Sequence, residues 1–94
     1  MKNDIDGFIV SPEAAASFHD DGIVILHTGK GTVFMANKAG ARVWHGIEQR
    51  LPSEAIAEEI SGVYHIAKST AREHTLRFLV QLERHALIRR EVAS

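Results

Sequence analysis

The chain has 94 residues, of which 45% are hydrophobic and 24% charged, and its net charge is −1. A chain this short cannot form two domains that each bury a core, and its hydrophobic content excludes intrinsic disorder. Cysteine is absent, which excludes disulfides and thiolate metal sites, and no apolar run approaches the length of about 18 residues that indicates a transmembrane helix. We therefore expect one cytoplasmic domain over residues 1–94.

Three short antiparallel strands are predicted over about residues 15–36. Asp21-Gly22 favours a two-residue turn between the first and second strands, because it tolerates the positive φ angles of such turns. A second turn precedes the β-prone segment 32–36. A three-stranded meander of this kind has two unpaired edges, one of them on the third strand.

Three helices are predicted to follow the strands. Asn37 is a good N-cap residue for the first helix, and Ser53 for the second. The sequence Thr-Ala-Arg-Glu from residue 70 resembles a capping box at the start of the third. Residues 87–90 are predicted as either a short strand or an extended tail. The periodicity of apolar residues places the helices over about 38–50, 53–62 and 70–86.

Strands followed by helices indicate a small α+β domain. A three-stranded antiparallel sheet followed by three helices, the last of them long, has a winged-helix-like composition. We expect the folded core to span about residues 14–88, with tails at 1–13 and 89–94. Trp44 is expected to lie in the core, on the first helix.

A helical wheel of the third helix separates a core stripe from a solvent face, which carries Glu73, Arg77, Gln81 and Arg84. Leu76 and Val80 lie on one flank of the stripe, together with Arg72 and Glu83. Either both apolar residues belong to a broad core stripe, or they line an apolar groove beside the helix. Such a groove next to an exposed strand edge would hold an extended peptide. The core stripe itself consists of Ala71, Thr75, Phe78, Leu79, Leu82 and Ala86.

Charge suggests an alternative function. Residues 1–67 contain five basic and nine acidic residues, whereas residues 68–94 contain six basic and three acidic ones. A winged-helix transcription regulator would use arginines of the third helix in a DNA groove. The chain as a whole is acidic, however, and acidic residues interrupt the basic face, which disfavours nucleic acid. The arginines concerned are Arg72, Arg77 and Arg84, and the interrupting acids are Glu73 and Glu83.

The six histidines do not predict a metal site. None of them has the i, i+4 spacing of helical metal ligands. A hairpin could bring His19 and His27 together, but two ligands without a third make a poor zinc site. No arrangement of nucleophile and base is evident either, so we expect a protein without catalytic activity, metal or cofactor.

Three segments, in their order and spacing, resemble the PqqD family. They are the hairpin segment Asp21–Leu26, the segment Gly31–Trp44 (GTVFMANKAGARVW), and the segment Phe78–Ile88 (FLVQLERHALI). Tyr64, before the third helix, adds to the pattern. The resemblance covers roughly residues 14–88. The sequence departs from the family pattern at two positions, Ala36 and Ala86, where the family favours Leu and Gly.

The resemblance implies a peptide chaperone, also called a precursor recognition element. Such a domain binds the leader segment of a ribosomally made precursor peptide. It then presents that peptide to a modifying enzyme, such as a radical-SAM protein or a leader peptidase. The known pathways make pyrroloquinoline quinone, lasso peptides or radical-SAM-modified peptides. Because the sequence has no apolar run long enough to span a membrane, we expect no membrane partner.

The resemblance also implies where the leader binds. It adds a strand to the edge of the third strand and lies against the third helix, and Arg72 would engage an acidic leader residue. The peptide-binding residues expected on this basis are Thr32, Val33, Phe34, Met35, Ala36, Arg72, Thr75, Leu76, Leu79, Val80 and Glu83. Without a leader, the edge would allow a homodimer. An accessory subunit that only bridges larger proteins is a third interpretation.

Overall fold

The computed structural model describes residues 7–91, which form five strands and three helices. In chain order these are β1 (Gly7–Val10), β2 (Ala14–His19), β3 (Gly22–His27), β4 (Thr32–Ala36), α1 (Lys38–Glu48), α2 (Ser53–Tyr64), α3 (Lys68–Arg84) and β5 (Ile88–Glu91). The α+β class is confirmed, with a three-stranded antiparallel sheet followed by three helices. Within the described range, no helix is long and apolar enough to cross a membrane.

The chain forms two separate sheets. The three predicted strands make one of them, in the order β2-β3-β4. The second sheet pairs β1 with β5 and corrects the assignment of both ends to tails. Residues 7–10 form a strand, and the side chain of Phe8 is buried in the core. This short segment has a strand conformation because β5, far along the chain, supplies its hydrogen-bonding partner.

The turn between β2 and β3 lies one residue earlier than predicted. Asp20 and Asp21 form it, and Gly22 is already the first residue of β3, paired with His19. Gly22 has a φ of 155°, and a Cβ atom there would lie 2.0 Å from the carbonyl oxygen of Ala36. The glycine is therefore required by the close approach of the end of β4.

The helices begin close to the predicted positions, but only one predicted cap is confirmed. The side chain of Asn37 accepts a hydrogen bond from the backbone N–H of Gly40, as expected of an N-cap residue. The cap position of α2 is Pro52, so Ser53 is the first helical residue. Likewise α3 begins two residues before Thr70, whose side chain lies within the first turn and forms no capping box.

The core lies between β3 and the helices. Ile23 and Ile25 of β3 are buried, and α1 packs on this face of the sheet. Trp44 is completely buried, as predicted, and its indole N–H donates a hydrogen bond of 3.0 Å to Glu48 one turn later. The α2 and α3 helices complete the core. They contribute Ile56, Ala57, Ile60, Ala71, Thr75, Leu79 and Leu82.

Candidate functional site: the β4 edge and its groove

The outer edge of β4 is unpaired, since β4 is the last strand of its sheet and no other strand of residues 7–91 pairs with it. The two-residue turn makes His19 and Gly22 a hydrogen-bonded pair, and such pairs alternate along a strand. Residues 23, 25 and 27 of β3 therefore bond to β4, with Ala36, Phe34 and Thr32 as their partners. The backbone N–H and C=O groups of Val33 and Met35 consequently point outward, toward any added strand.

A groove of about 480 Å³ runs beside this edge, between β4 and α3. Phe34, at its base, contacts Phe78 of α3, with 5.7 Å between the ring centroids. The first turns of α1 and the end of α2 complete the walls. The lining residues are Phe34, Met35, Ala36, Asn37, Ala39, Gly40, Val43, Ile60, Tyr64, Ile66, His74, Thr75, Arg77, Phe78 and Gln81.

Gly40 allows α1 to approach the other two walls closely. A Cβ atom at this position would lie 2.6 Å from the Cβ of Ala36 and 3.0 Å from the ring of Phe78. Both distances are shorter than an ordinary van der Waals contact, so a side chain at residue 40 would push α1 away from β4 and α3. The small residue Ala36 also leaves open the part of the groove that a larger side chain would fill.

One polar atom in the groove wall has no partner. Thr75 is only 1% exposed, and its hydroxyl makes no hydrogen bond with the described residues. A buried hydroxyl without a partner destabilises the folded state by about 1–3 kcal/mol.

The outer rim of the groove on α3 is polar and carries one full positive charge. Arg77 lies there between His74 and Gln81, which are exposed. The guanidinium of Arg77 is paired with Glu73 on the same helix, at 3.0 Å. Both side chains of this pair are about two-thirds exposed, so it contributes little to stability and leaves the arginine able to engage another carboxylate.

The structure brings only some of the predicted site residues together. Phe34, Met35, Ala36 and Thr75 line the groove. Thr32 and Val33 lie on the same strand, outside the groove lining. Leu79 is a core residue, with 2% of its surface exposed. The remaining four residues lie on the flank of α3 that is turned away from the groove, namely Arg72, Leu76, Val80 and Glu83.

Two of those four residues are engaged elsewhere. Arg72 is hydrogen-bonded to Glu54 at the start of α2, and this bond and the positive charge lower the pKa of the Glu54 carboxyl. The same bond raises the pKa of Arg72. The carboxylate of Glu83 forms an ion pair with Arg90 of β5, with 3.4 Å between Oε2 and Nε. Leu76 and Val80 stay substantially exposed, so neither belongs to a broad core stripe.

Several groove residues were missed by the sequence analysis. Phe78 had been assigned to the core, and Arg77 and Gln81 to solvent. Tyr64, the last residue of α2, contributes to the resemblance to the family, but it is not among the residues predicted to bind the peptide. A wheel shows which residues share a face, but it does not show which flank of the core stripe is turned toward β4.

The histidines are dispersed. His19 pairs with Gly22 and His27 with Ala14, so the two lie at opposite ends of the β2–β3 hairpin. His27 is buried, and its Nδ1 accepts a hydrogen bond from the backbone N–H of Lys30. Across residues 7–91, no three His, Asp or Glu residues are grouped so that they could hold a metal ion.

Comparison with known proteins decides the family. The sequence model of coenzyme PQQ synthesis protein D (PqqD) matches residues 22–88. The chain belongs to the PqqD family. The matched range begins at the first residue of β3 and ends in β5, so it includes the β4 edge and the whole groove. No curated protein matches the chain in sequence.

Two solved structures resemble this PqqD-family chain. One is described as TbiB1 in complex with the TbiA(beta) leader peptide. It has a TM-score of 0.81 and 27% identity, over 92% of this chain and 99% of that one. The other, a lasso peptide synthetase B1 complexed with the leader peptide, has a TM-score of 0.80 and 17% identity, over 87% of this chain and 96% of that one. The second likeness is one of fold alone.

Proposed function

We propose that the chain binds the leader segment of a ribosomally made precursor peptide and presents it to a modifying enzyme, without catalysing a reaction itself. The observation that carries this proposal is the unpaired β4 edge beside an apolar groove. Membership of the PqqD family and the likeness to a leader-peptide complex support it. The pathway is of the pyrroloquinoline quinone, lasso or radical-SAM type.

The geometry of β4 defines how a leader would bind. An added strand would exchange backbone hydrogen bonds with Val33 and Met35, whose N–H and C=O groups point outward. Side chains alternate along a strand, so leader residues opposite Phe34 and Ala36 would point into the groove. We therefore expect apolar leader residues at alternate positions, spaced two apart.

The charged contact to an acidic leader residue is best placed at Arg77. This residue lines the groove and has only an exposed partner on its own helix. Arg72, the residue expected from the sequence to make this contact, lies on the opposite flank and is bonded to Glu54. Replacing each arginine with Gln separates the two placements. We expect Arg77→Gln to weaken leader binding several-fold and to reduce its salt dependence, and Arg72→Gln to change neither. The reverse result would favour the flank of Leu76 and Val80.

The DNA-binding alternative gains no support. Arg72 and Arg77, two of the three arginines that it requires, are paired with Glu54 and Glu73. These carboxylates would repel a phosphate backbone.

The direct test is an amide NMR titration of ¹⁵N-labelled protein with the leader peptides encoded beside its gene. We expect shifts in residues 33–36 and in the groove-lining part of α3. A mixed-sequence DNA duplex at two salt concentrations serves as the comparison. Shifts along the arginines of α3 with DNA alone, lost at high salt, would contradict the proposal.

A variant at the strand edge tests the backbone contact. Val33→Pro removes an outward-pointing donor from an edge strand, where proline is tolerated. One lost hydrogen bond of about 0.5–1.5 kcal/mol predicts a roughly 2- to 12-fold weaker leader affinity, measured by fluorescence anisotropy. Val33→Ala keeps the donor and is the matched control. Equal affinities of the two variants would mean that the leader does not pair with this edge.

A further inference from the structure

The outer face of the three-stranded sheet, turned away from the helices, is apolar. The strand register places Val24 opposite Met35, and Leu26 opposite Val33 and Ala15. Residues 23, 25 and 27 of β3 point into the core, so Val24 and Leu26 point the other way. Leu26, Val33 and Met35 are 38%, 60% and 71% exposed. We call Ala15, Val24, Leu26, Val33 and Met35 the outer sheet patch.

The patch contains no Asp, Glu, Lys or Arg side chain. Beside it on β2, toward the Asp20-Asp21 turn, lie Ser17 and His19, whose side chains are 2.8 Å apart and hydrogen-bonded to each other. Exposed sheet faces of antiparallel sheets normally carry polar residues, and contiguous apolar patches mark interaction sites. A partner for this patch therefore needs an apolar, uncharged surface.

We propose that the outer sheet patch is the surface on which the modifying enzyme docks, and this inference rests on the proposed function. Val33 and Met35 belong both to the patch and to the edge that would receive the leader. Leader residues opposite them would point to the same side of the sheet and extend the patch by one strand. An enzyme seated there would contact the domain and the bound peptide together.

The patch alone is too small to hold a stable partner. Three strands about 4.8 Å apart and some five residues long give a face on the order of 200 Å². A stable complex buries about 800 Å² on each partner, so neither a second copy nor an enzyme could be held by the patch alone. A bound leader would extend the patch by one strand, and the rest of the precursor peptide would offer the remaining contact area to an enzyme that acts on it, which a second copy of the chain would not use.

The test replaces Leu26, which lies on the central strand, outside the groove lining. Its side chain lies beside that of Val33, but it supplies none of the outward-pointing backbone groups of β4. We expect Leu26→Glu to leave leader affinity within twofold of that of the unchanged protein. We also expect it to weaken, by at least tenfold, the affinity for the purified modifying enzyme encoded beside this chain's gene. Val63→Glu is the matched control, since Val63 of α2 is 41% exposed and lies outside both surfaces, and it should change neither affinity.

A second variant keeps the test valid if Leu26→Glu fails to fold, as judged by circular dichroism. Leu26→Thr suits a strand and removes most of the apolar surface, and we expect a smaller loss of enzyme affinity. Unchanged enzyme affinity in the folded variants would overturn the inference, as would a dimer in analytical ultracentrifugation that Leu26→Glu abolishes. Leader binding by the unchanged protein is measured separately, by fluorescence anisotropy. If that protein binds no leader, the proposed function is wrong, whatever the enzyme affinity of the Leu26 variants.

Discussion

At the scale of single residues, the groove contains one group that does not serve the fold. Thr75 lies in the core stripe of α3, where a valine of the same shape would fill the space equally well. Its hydroxyl is buried in the groove wall and has no partner among residues 7–91. If leader binding opens the groove wall, this hydroxyl gains a hydrogen-bond partner, and its cost to the stability of the free protein is offset in the complex.

Thr75→Val should therefore separate stability from binding. Removing the unpartnered hydroxyl is expected to raise the free energy of unfolding by about 1 kcal/mol, measured by urea denaturation. The same change should weaken leader affinity several-fold in the anisotropy assay. Higher stability with unchanged affinity would show that the leader does not contact this hydroxyl.

Ala36 determines how much of the groove is open. Its Cβ lies beside Gly40, at the point where α1, β4 and α3 meet. Leucine, which the family pattern favours here, would fill part of the groove. We expect Ala36→Leu to leave the fold intact. We also expect it to weaken the affinity for the leader of the precursor peptide by at least tenfold. An unchanged affinity in isothermal titration would place the leader side chains elsewhere along β4.

At the scale of elements, the end of α3 carries a strained residue. Ala86 has a φ of 60°, in the left-handed region, and the N–H of Leu87 bonds to the carbonyl of Leu82 across it. This closing bond turns the chain from α3 into β5. The second departure from the family pattern thus stands where glycine would remove steric strain.

Ala86→Gly should stabilise the protein. We expect the free energy of unfolding to rise by roughly 0.5–1 kcal/mol, since relief of the strained φ outweighs the greater freedom of glycine in the unfolded chain. Thermal denaturation followed by circular dichroism measures this. Ala67→Gly is a suitable comparison, because Ala67 has an ordinary φ of −61°. Glycine relieves no strain there, so this variant should lower the free energy of unfolding.

Sequence reasoning predicted the elements better than their mutual placement. The runs at 22–27 and 32–36, the cap at Asn37 and the buried Trp44 follow from local patterns, and the structure contains them. The flank of α3 that faces β4 depends on how the helix crosses the sheet. A helical wheel does not show which flank of the core stripe faces β4, so it does not distinguish the flank of Leu76 and Val80 from that of Arg77 and Gln81.

At the scale of the whole molecule, β1 and β5 join the two ends of the described chain. Their pairing depends on residues about 80 positions apart, which no local pattern reveals. Phe8 is the clearest consequence, because it is 6% exposed and contacts the core, with the guanidinium of Arg90 lying 5.6 Å from its ring centroid. The segment assigned to a tail is part of the folded unit.

Two phenylalanines provide the matched test. Phe8→Ala should destabilise the protein by about 3 kcal/mol, the typical loss for a buried aromatic side chain, as measured by urea denaturation. Phe18 also lies on a strand but is 52% exposed, and Phe18→Ala should cost about 1 kcal/mol or less. Equal losses of unfolding free energy from both variants would mean that β1 contributes no more to stability than an exposed strand does.

The β1–β5 ladder also determines how this unit can be joined to other polypeptides. Gly7 is the register partner of Glu91, so the two ends of the described range lie at neighbouring points, about 5 Å apart across the ladder. Both ends lie outside the β4 edge, the groove and the outer sheet patch. A short linker between them would permit circular permutation, and the unit could be inserted into a loop of a larger enzyme with its peptide site unobstructed.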